Sequence, residues 1–279
     1  MSNSYLNDLT DKERAQLQKT LNYWGEDRLA KAQAKLTEKT RKQIDTRLRK
    51  YYKLSAKAAI KDFEDTLDKV LNTVADGVKP TPADLYKLDK YWQLQAQLRE
   101  NLRKLGERQV TALTKQFQAN YFDIYYSISL DGLNTFNTLD DAAVEQMINS
   151  IWCADGKSWS ARVWENTEKL AQELNDGLIT CVASGSSTRE LVDILQERFN
   201  VSFGRADALV RTELAHIQTE AAKKRYEDYG IREVEVFADE DERRCPICAK
   251  LHKKRIPITA QMPIPAHPRC RCCVIPVVE

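Results

Sequence analysis

Along the first half of the chain, apolar residues return at the spacing of one helical face. Leu17, Leu21 and Trp24 stand at i, i+4 and i+7, and so do Ile44, Leu48 and Tyr51. Lys, Arg, Gln and Glu fill most positions between, so the stripe is narrow, as in an extended bundle or coiled coil. Thr10 with Glu13 forms a capping box at the start, a hydroxyl for an orphan N–H answered by a carboxylate three residues on. Pro80-Thr81-Pro82 is the clearest break, with Thr81 able to cap and Pro82 suited to the first helical position. Leu85, Leu88, Trp92, Leu102, Leu105, Val110, Leu113 and Phe117 then predict a second long helix over 82–118. Unbroken at Gly106 it would reach on the order of 55 Å, a spacer or a docking arm.

The aromatic run Tyr121, Phe122, Tyr125 and Tyr126 is expected to be a packing node between the halves of the chain, and Gly132 marks a connector. Shorter helices follow, each with its own punctuation. One covers 139–150, opened by Thr138 with Asp141 three residues on, and one covers 159–183, closed by Gly185. A third covers 188–199, opened by the capping box Ser187/Glu190, and a fourth runs over 203–229, stopped by Gly230 at C′. After Gly230 the grammar changes. Glu233-Val234-Glu235-Val236 alternates as a strand does. Six of the eight prolines lie at 246, 257, 263, 265, 268 and 276, so the tail is expected to be short strands and loops without helix.

These patterns predict a mainly α protein with a small α+β C-terminal part. Its layout would be an elongated helical N-terminal half, a helical middle and a short-strand tail. The domain boundary falls near 130, giving a helical arm or bundle over 1–130 and a second domain over 131–279, with helices at 139–229 and the tail at 231–279. No apolar run approaches the roughly 18 residues that span a bilayer. Residues 1–8 lack the basic start and apolar stretch of a secretory signal. The expectation is a soluble chain that folds in a cytosol.

Charge is uneven behind a net +2. Residues 1–120 carry 24 Lys and Arg against 16 Asp and Glu, residues 121–240 carry 11 against 22, and residues 241–279 carry 8 against 3. Basic ends around an acidic middle favour charge-complementary docking to a partner or to nucleic acid, although variation for solubility alone would give the same profile.

Five of the seven cysteines and two of the three histidines fall in the last 35 residues. A secreted disulfide scaffold spreads its cysteines through a small chain, whereas a tight Cys/His cluster at one end points to a metal. Cys245-Pro246-Ile247-Cys248 lets one tight turn aim two thiolates at an ion. Eighteen residues on, His267-Pro268-Arg269-Cys270-Arg271-Cys272 supplies a second set. Five candidates, Cys245, Cys248, His267, Cys270 and Cys272, thus compete for four places. Cys245, Cys248, His267 and Cys272 are the first choice, with Cys270 able to replace either of the last two. Cys273 opens an apolar strand and reads as core, and His252, among Lys250, Lys253 and Lys254, is the weaker candidate. Four protein ligands leave no open position, so a zinc ion here would be structural. It would contribute about 10–16 kcal/mol of apparent binding free energy to a tail poor in apolar mass. A dithiol without metal is the competing reading. Arg243, Arg244, Arg269 and Arg271 would favour thiolates, and could face phosphate or an acidic partner.

Several of these residues together resemble a known family. Val210-Arg211-Thr212-Glu213, Tyr229-Gly230-Ile231, Asp239-Glu240-Asp241, Cys245-Pro246-Ile247-Cys248-Ala249-Lys250-Leu251 and His267-Pro268-Arg269-Cys270-Arg271-Cys272 are similar, in that order, to the phage head morphogenesis family typified by the Mu F protein. The resemblance covers residues from about 139 onward, and Lys253-Lys254 departs from it where relatives commonly carry a glycine. It implies a virion or procapsid component in few copies, attached to the portal inside the head and assembled in the host cytoplasm. Such proteins act in head assembly or in genome packaging and delivery. Expected partners are the portal protein, capsid or scaffold proteins, and packaged DNA contacted without sequence preference. Some relatives carry a further toxin or enzyme domain, for which the seven residues after Cys272 leave no room. Arg211 and Glu213 are expected to form a buried or half-buried ion pair that orients the tail against its helix, rather than a catalytic pair.

Two other function classes are open to the same residues. A zinc-supported nuclease would need a His or carboxylate beside a phosphate-binding metal, and only His216 and His252 remain after ligation. No Gly-rich phosphate loop or nucleophile motif accompanies them, so an enzyme is not expected. A DNA-binding zinc protein fits the basic tail, but without a clear recognition helix its binding would be non-specific and steeply salt-dependent.

Overall fold

The computed structural model describes residues 10–71, 90–128, 138–184, 187–238 and 241–277. Helices dominate: α1 (Asp11–Leu71), α2 (Lys90–Ser127), α3 (Asp141–Ile148), α4 (Trp159–Ser184) and α5 (Thr188–Asp228). A small C-terminal segment follows with strand β1 (Glu233–Phe237), helix α6 (Pro246–Leu251) and strands β2 (Arg255–Pro257) and β3 (Cys273–Val277). The fold is therefore mainly α with a small sheet at its end, as the periodicity predicts. Among the described residues no helix is long and apolar enough to cross a membrane. The break at Pro80-Thr81-Pro82, the connector at Gly132 and the stop at Gly185 lie outside the described residues.

Two compact units share these elements. The first comprises Met1–Gln43, Thr114–Ser150 and Ala208–Glu279, the second Ile44–Leu113 and Ile151–Asp207.

In the second unit, Ile44, Leu48, Tyr52, Ala59 and Phe63 bury one face of α1, and Leu94, Leu98, Leu102 and Leu105 one face of α2. Val163, Leu170, Leu174 and Leu178 do the same for α4, and Leu191, Leu195 and Phe199 for the start of α5. Tyr52 rather than Tyr51 continues the stripe of α1, because it stands four residues beyond Leu48. Trp92 is 63% exposed and Tyr91 takes the inward place, its hydroxyl donating to Asn175 Oδ1 at 2.7 Å. Buried and half-buried polar groups answer one another. Asn166 Nδ2 donates to the Ser202 carbonyl (3.0 Å) and to the Tyr52 hydroxyl (3.0 Å), and Arg205 forks onto Glu173 with two bonds of 2.9 Å.

The first unit is built on α2, the second half of α5 and the sheet. Phe117, Tyr121, Ile124 and Ile128 line one face; Val210, Leu214, Ile217 and Ala221 line another, at i, i+4, i+7 and i+11. Tyr125 is fully buried and its hydroxyl donates to Asp228, whereas Tyr126 is 54% exposed, so the aromatic run splits between interior and surface. Arg225 lies over the rings of Tyr125 and Tyr229 (4.8 and 4.3 Å to the centroids) and donates to the Ile128 carbonyl at 3.1 Å. The sheet order is β2-β1-β3, antiparallel throughout, with Val236 opposite Val274 and Val234 opposite Ile256 and Pro276. Pro276 is tolerated because β3 is an edge strand.

Three sequence expectations change. The helices expected over 188–199 and 203–229 are one continuous α5: Gly204 is absorbed because Phe199, Ser202 and Ala206 are buried around it. The helix α3 is capped by Asp140, whose carboxylate accepts from Ala142 N, not by Thr138. The proline-rich tail does hold a helix, since Pro246 occupies the first turn of α6, where its missing N–H costs nothing. Two expected stops and starts hold. Ser187 and Glu190 form the reciprocal capping box, and Gly230 (φ 75°) ends α5 in a Schellman arrangement, with Ile231 N–H to Tyr226 O and Gly230 N–H to Glu227 O.

Candidate metal centre

The cysteine cluster is assembled by two turns that the sheet brings together within the first unit. After β1 the chain turns at Asp241 and enters α6, with Cys245 as the N-cap. Its sulfur accepts from Cys248 N at 3.3 Å, an arrangement that also aims both sulfurs of the C-x-x-C to one side. The second turn precedes β3. Cys270 N–H donates to the His267 carbonyl (3.2 Å), and Arg269 adopts the left-handed region (φ 63°) to reverse the chain.

All five sequence candidates meet here, in two groups that share Cys248. Cys245, Cys248 and His267 offer ligand atoms within 4.8 Å of one another, and so do Cys248, Cys270 and Cys272. His267 Nε2 lies 3.2 Å from Cys245 Sγ and 3.1 Å from Cys248 Sγ, while Cys248 and Cys270 sulfurs are 3.8 Å apart. In a tetrahedral zinc site two thiolates stand about 3.8 Å apart, and a thiolate and an imidazole nitrogen about 3.6 Å. Within each group the spacings are near those values, and the two groups meet at Cys248. His267 Nδ1 donates to the Pro268 carbonyl at 2.9 Å, which fixes the ring and leaves the Nε2 lone pair toward the sulfurs, the orientation a ligating histidine needs.

Electrostatics within the cluster are those of thiols forced together. The Cys272 thiol donates toward Cys270, which brings the Cys270 thiol down to about 5 and raises Cys272. Burial pushes Cys248 up to about 12, while the N–H of Cys248 lowers Cys245. His267 is raised by its bond to the Pro268 carbonyl. A shared cation would relieve this mutual conflict, since each thiolate then faces positive charge instead of another sulfur.

Two supports hold the cluster to its surroundings, and the sequence reading missed both. Arg271 forks onto Asp241 (2.6 and 2.8 Å), tying the two turns directly, and Arg269 N–H donates to Thr212 Oγ1 (3.1 Å), tying the second turn to α5. Thr212 is the residue between Arg211 and Glu213. Glu213 is buried, and Arg211, half-buried, lines a cavity beside the tail.

The remaining candidates are placed elsewhere. Cys273 is buried in β3, as its apolar surroundings suggest. His252 caps the end of α6; its Nδ1 accepts from Ala238 N (3.2 Å) and its ring meets Phe237 edge-on. That is a packing role rather than a solvated position. His216 is buried in the interior of α5.

Residues 172–275 match the family model described as Phage Mu protein F like protein, a span that includes the second half of α4, all of α5 and the whole cysteine cluster. No curated protein and no solved structure matches the chain.

Proposed function

We propose, from the match of residues 172–275 to the phage Mu protein F-like family, that this chain is a minor head protein of a bacteriophage. It docks on the portal inside the head, in few copies, and acts in head assembly and in genome packaging or delivery. Residues 131–279 form the head-morphogenesis part, and the helical residues 1–130 supply further docking surface. Its role is structural and not enzymatic.

The observation that carries this reading is that the family match and the cysteine cluster fall on the same stretch of chain. Cys245, Cys248 and His267 hold a structural zinc ion, and Cys270 or Cys272 completes the tetrahedron. The ion supplies the attraction that keeps two remote turns together. Around it the chain's own residues orient the ligands: Pro268 fixes the imidazole, Asp241 and Arg271 brace the turns, and Thr212 anchors them to α5.

Two measurements on the full chain test the proposal. Purified virions should contain the protein at a small number of copies per particle, and a tagged chain should retain the cognate portal protein from a lysate of infected cells. Elemental analysis should find close to one zinc per chain. Absence from virions together with failure to retain the portal protein would refute the head-protein reading. Metal-free, fully folded protein would refute the zinc site alone.

A further inference from the structure

A cavity of about 250 Å³ in the first unit is bounded by α1, α5 and the second turn of the cysteine cluster. Its charge is strongly one-sided. Among the described residues, four arginines, Arg41, Arg211, Arg269 and Arg271, line it together with one acidic residue, Glu38. Three thiolates on a divalent ion would add one negative charge from the Cys270/Cys272 side, and the cavity would remain positive.

The arginines are held in position by other groups. Glu38 forks onto Arg41 (2.6 and 2.7 Å) along α1, and Asp241 forks onto Arg271 from outside the cavity. Arg269 is placed by the bond from its backbone to Thr212, one residue from Arg211 on α5. The floor is polar as well, with Thr37 donating to the buried Gln218 at 2.6 Å. A bidentate carboxylate engages two of a guanidinium's five N–H groups and holds its plane in one orientation. Such preorganisation is what recognition of a tetrahedral oxyanion requires, because planar forks match its edges. The volume lies below the 300–1,000 Å³ typical of pockets for whole organic ligands, so it suits an anionic group rather than a complete nucleotide.

We propose that this cavity is a binding site for a phosphate group, with Arg211 at its centre and Arg41, Arg269 and Arg271 around it. The proposal stands independently of the head-protein reading. Contact would be with the phosphate alone, so a phosphodiester bound here would be held without regard to base sequence.

The test uses the metal-loaded full chain at low ionic strength. Inorganic phosphate, titrated calorimetrically, should bind with an affinity that falls as salt rises, and acetate at the same concentration should not compete. Arg211→Gln should weaken binding tenfold or more, and Arg211→Lys should retain part of it. Arg269→Asn, at an exposed position where Asn tolerates the left-handed backbone, provides a second variant that spares the core and should also weaken binding. Random-sequence duplex DNA separates the sources. DNA affinity that falls in Arg211→Gln and is competed by phosphate identifies a nucleic-acid backbone, whereas phosphate binding unaffected by DNA identifies a small phosphorylated molecule. No phosphate binding at millimolar concentration, binding in both variants as tight as in the parent, or tighter binding of a poly-glutamate peptide than of phosphate or DNA would overturn the proposal.

Discussion

Cys248 is the residue on which the cluster turns, because it belongs to both groups of ligand atoms and is the more buried sulfur of its C-x-x-C. Cys248→Ser should abolish zinc binding, whereas loss of Cys270 or of Cys272 should separate the two. Cobalt-substituted protein shows this directly: the variant lacking the fourth ligand loses the tetrahedral visible bands, and the other keeps them. Bands lost equally in both would put both thiolates on the ion in place of His267, and bands kept in both would contradict a fourth ligand from this pair. The five candidates were legible in the sequence because ligand spacing is a local property. The supports were not. Thr212 and Asp241 lie 57 and 30 residues from the arginines they hold, and no spacing rule reaches that far. His216 gives the residue-scale prediction for pH. Burial depresses its pKa from 6.5 to about 4, so the folded state holds fewer protons than the unfolded between those values. Its contribution is complete above pH 6.5 and is lost as pH falls toward 4, on the order of 3 kcal/mol. The slope of stability against pH in that window should be shallower in His216→Gln than in the parent, even though zinc release adds a common slope to both. Identical slopes would show that His216 titrates normally.

At the scale of elements, two glycines in helix interiors give opposite expectations. Gly204 in α5 has nothing within 4 Å of the place a Cβ would occupy, and its backbone is helical. Gly204→Ala should therefore stabilise the protein by about 0.5–1 kcal/mol through helix propensity and a less disordered unfolded chain. Gly106 in α2 faces the Trp164 ring, whose nearest carbon would stand 2.5 Å from an added Cβ. Gly106→Ala must displace the indole, so the gain in propensity should be cancelled or reversed by lost packing. Chemical denaturation of both variants checks the pair, and a more stable Gly106→Ala would contradict the close contact. Gly204 also shows where element boundaries were hidden from the sequence. Asn200-Val201-Ser202-Phe203-Gly204 reads as a break by local preference, and α5 crosses it because Ser202 and its neighbours are enclosed by Tyr52 and Asn166. Gly230 was readable because its stop is local, two backbone bonds and a positive φ. The same contrast explains Pro246, which forbids a helix through it and permits one beginning at it.

At the scale of the molecule, the question is how much of the protein depends on the cluster. Helical residues lie almost entirely outside the tail, where α6 contributes only Pro246–Leu251. The sheet, by contrast, joins β1, β2 and β3 across both turns that carry ligands. Its own apolar residues, Val234, Val236, Ile256, Val274 and Ile275, are buried, while an apparent zinc binding free energy of about 10–16 kcal/mol would rival the whole stability of a typical domain. Removing the ion should therefore loosen the tail and leave the helices formed. Treatment with a strong chelator should open new protease cleavage sites within 241–277, while the helical far-UV signal changes little, and added zinc should close those sites again. Collapse of the helical signal would mean that the tail holds the helices of its unit together, through contacts such as Tyr226 to the Val274 carbonyl. An unchanged cleavage pattern would mean that burial and the Asp241–Arg271 and Thr212–Arg269 links suffice, and that the sulfurs need no ion between them.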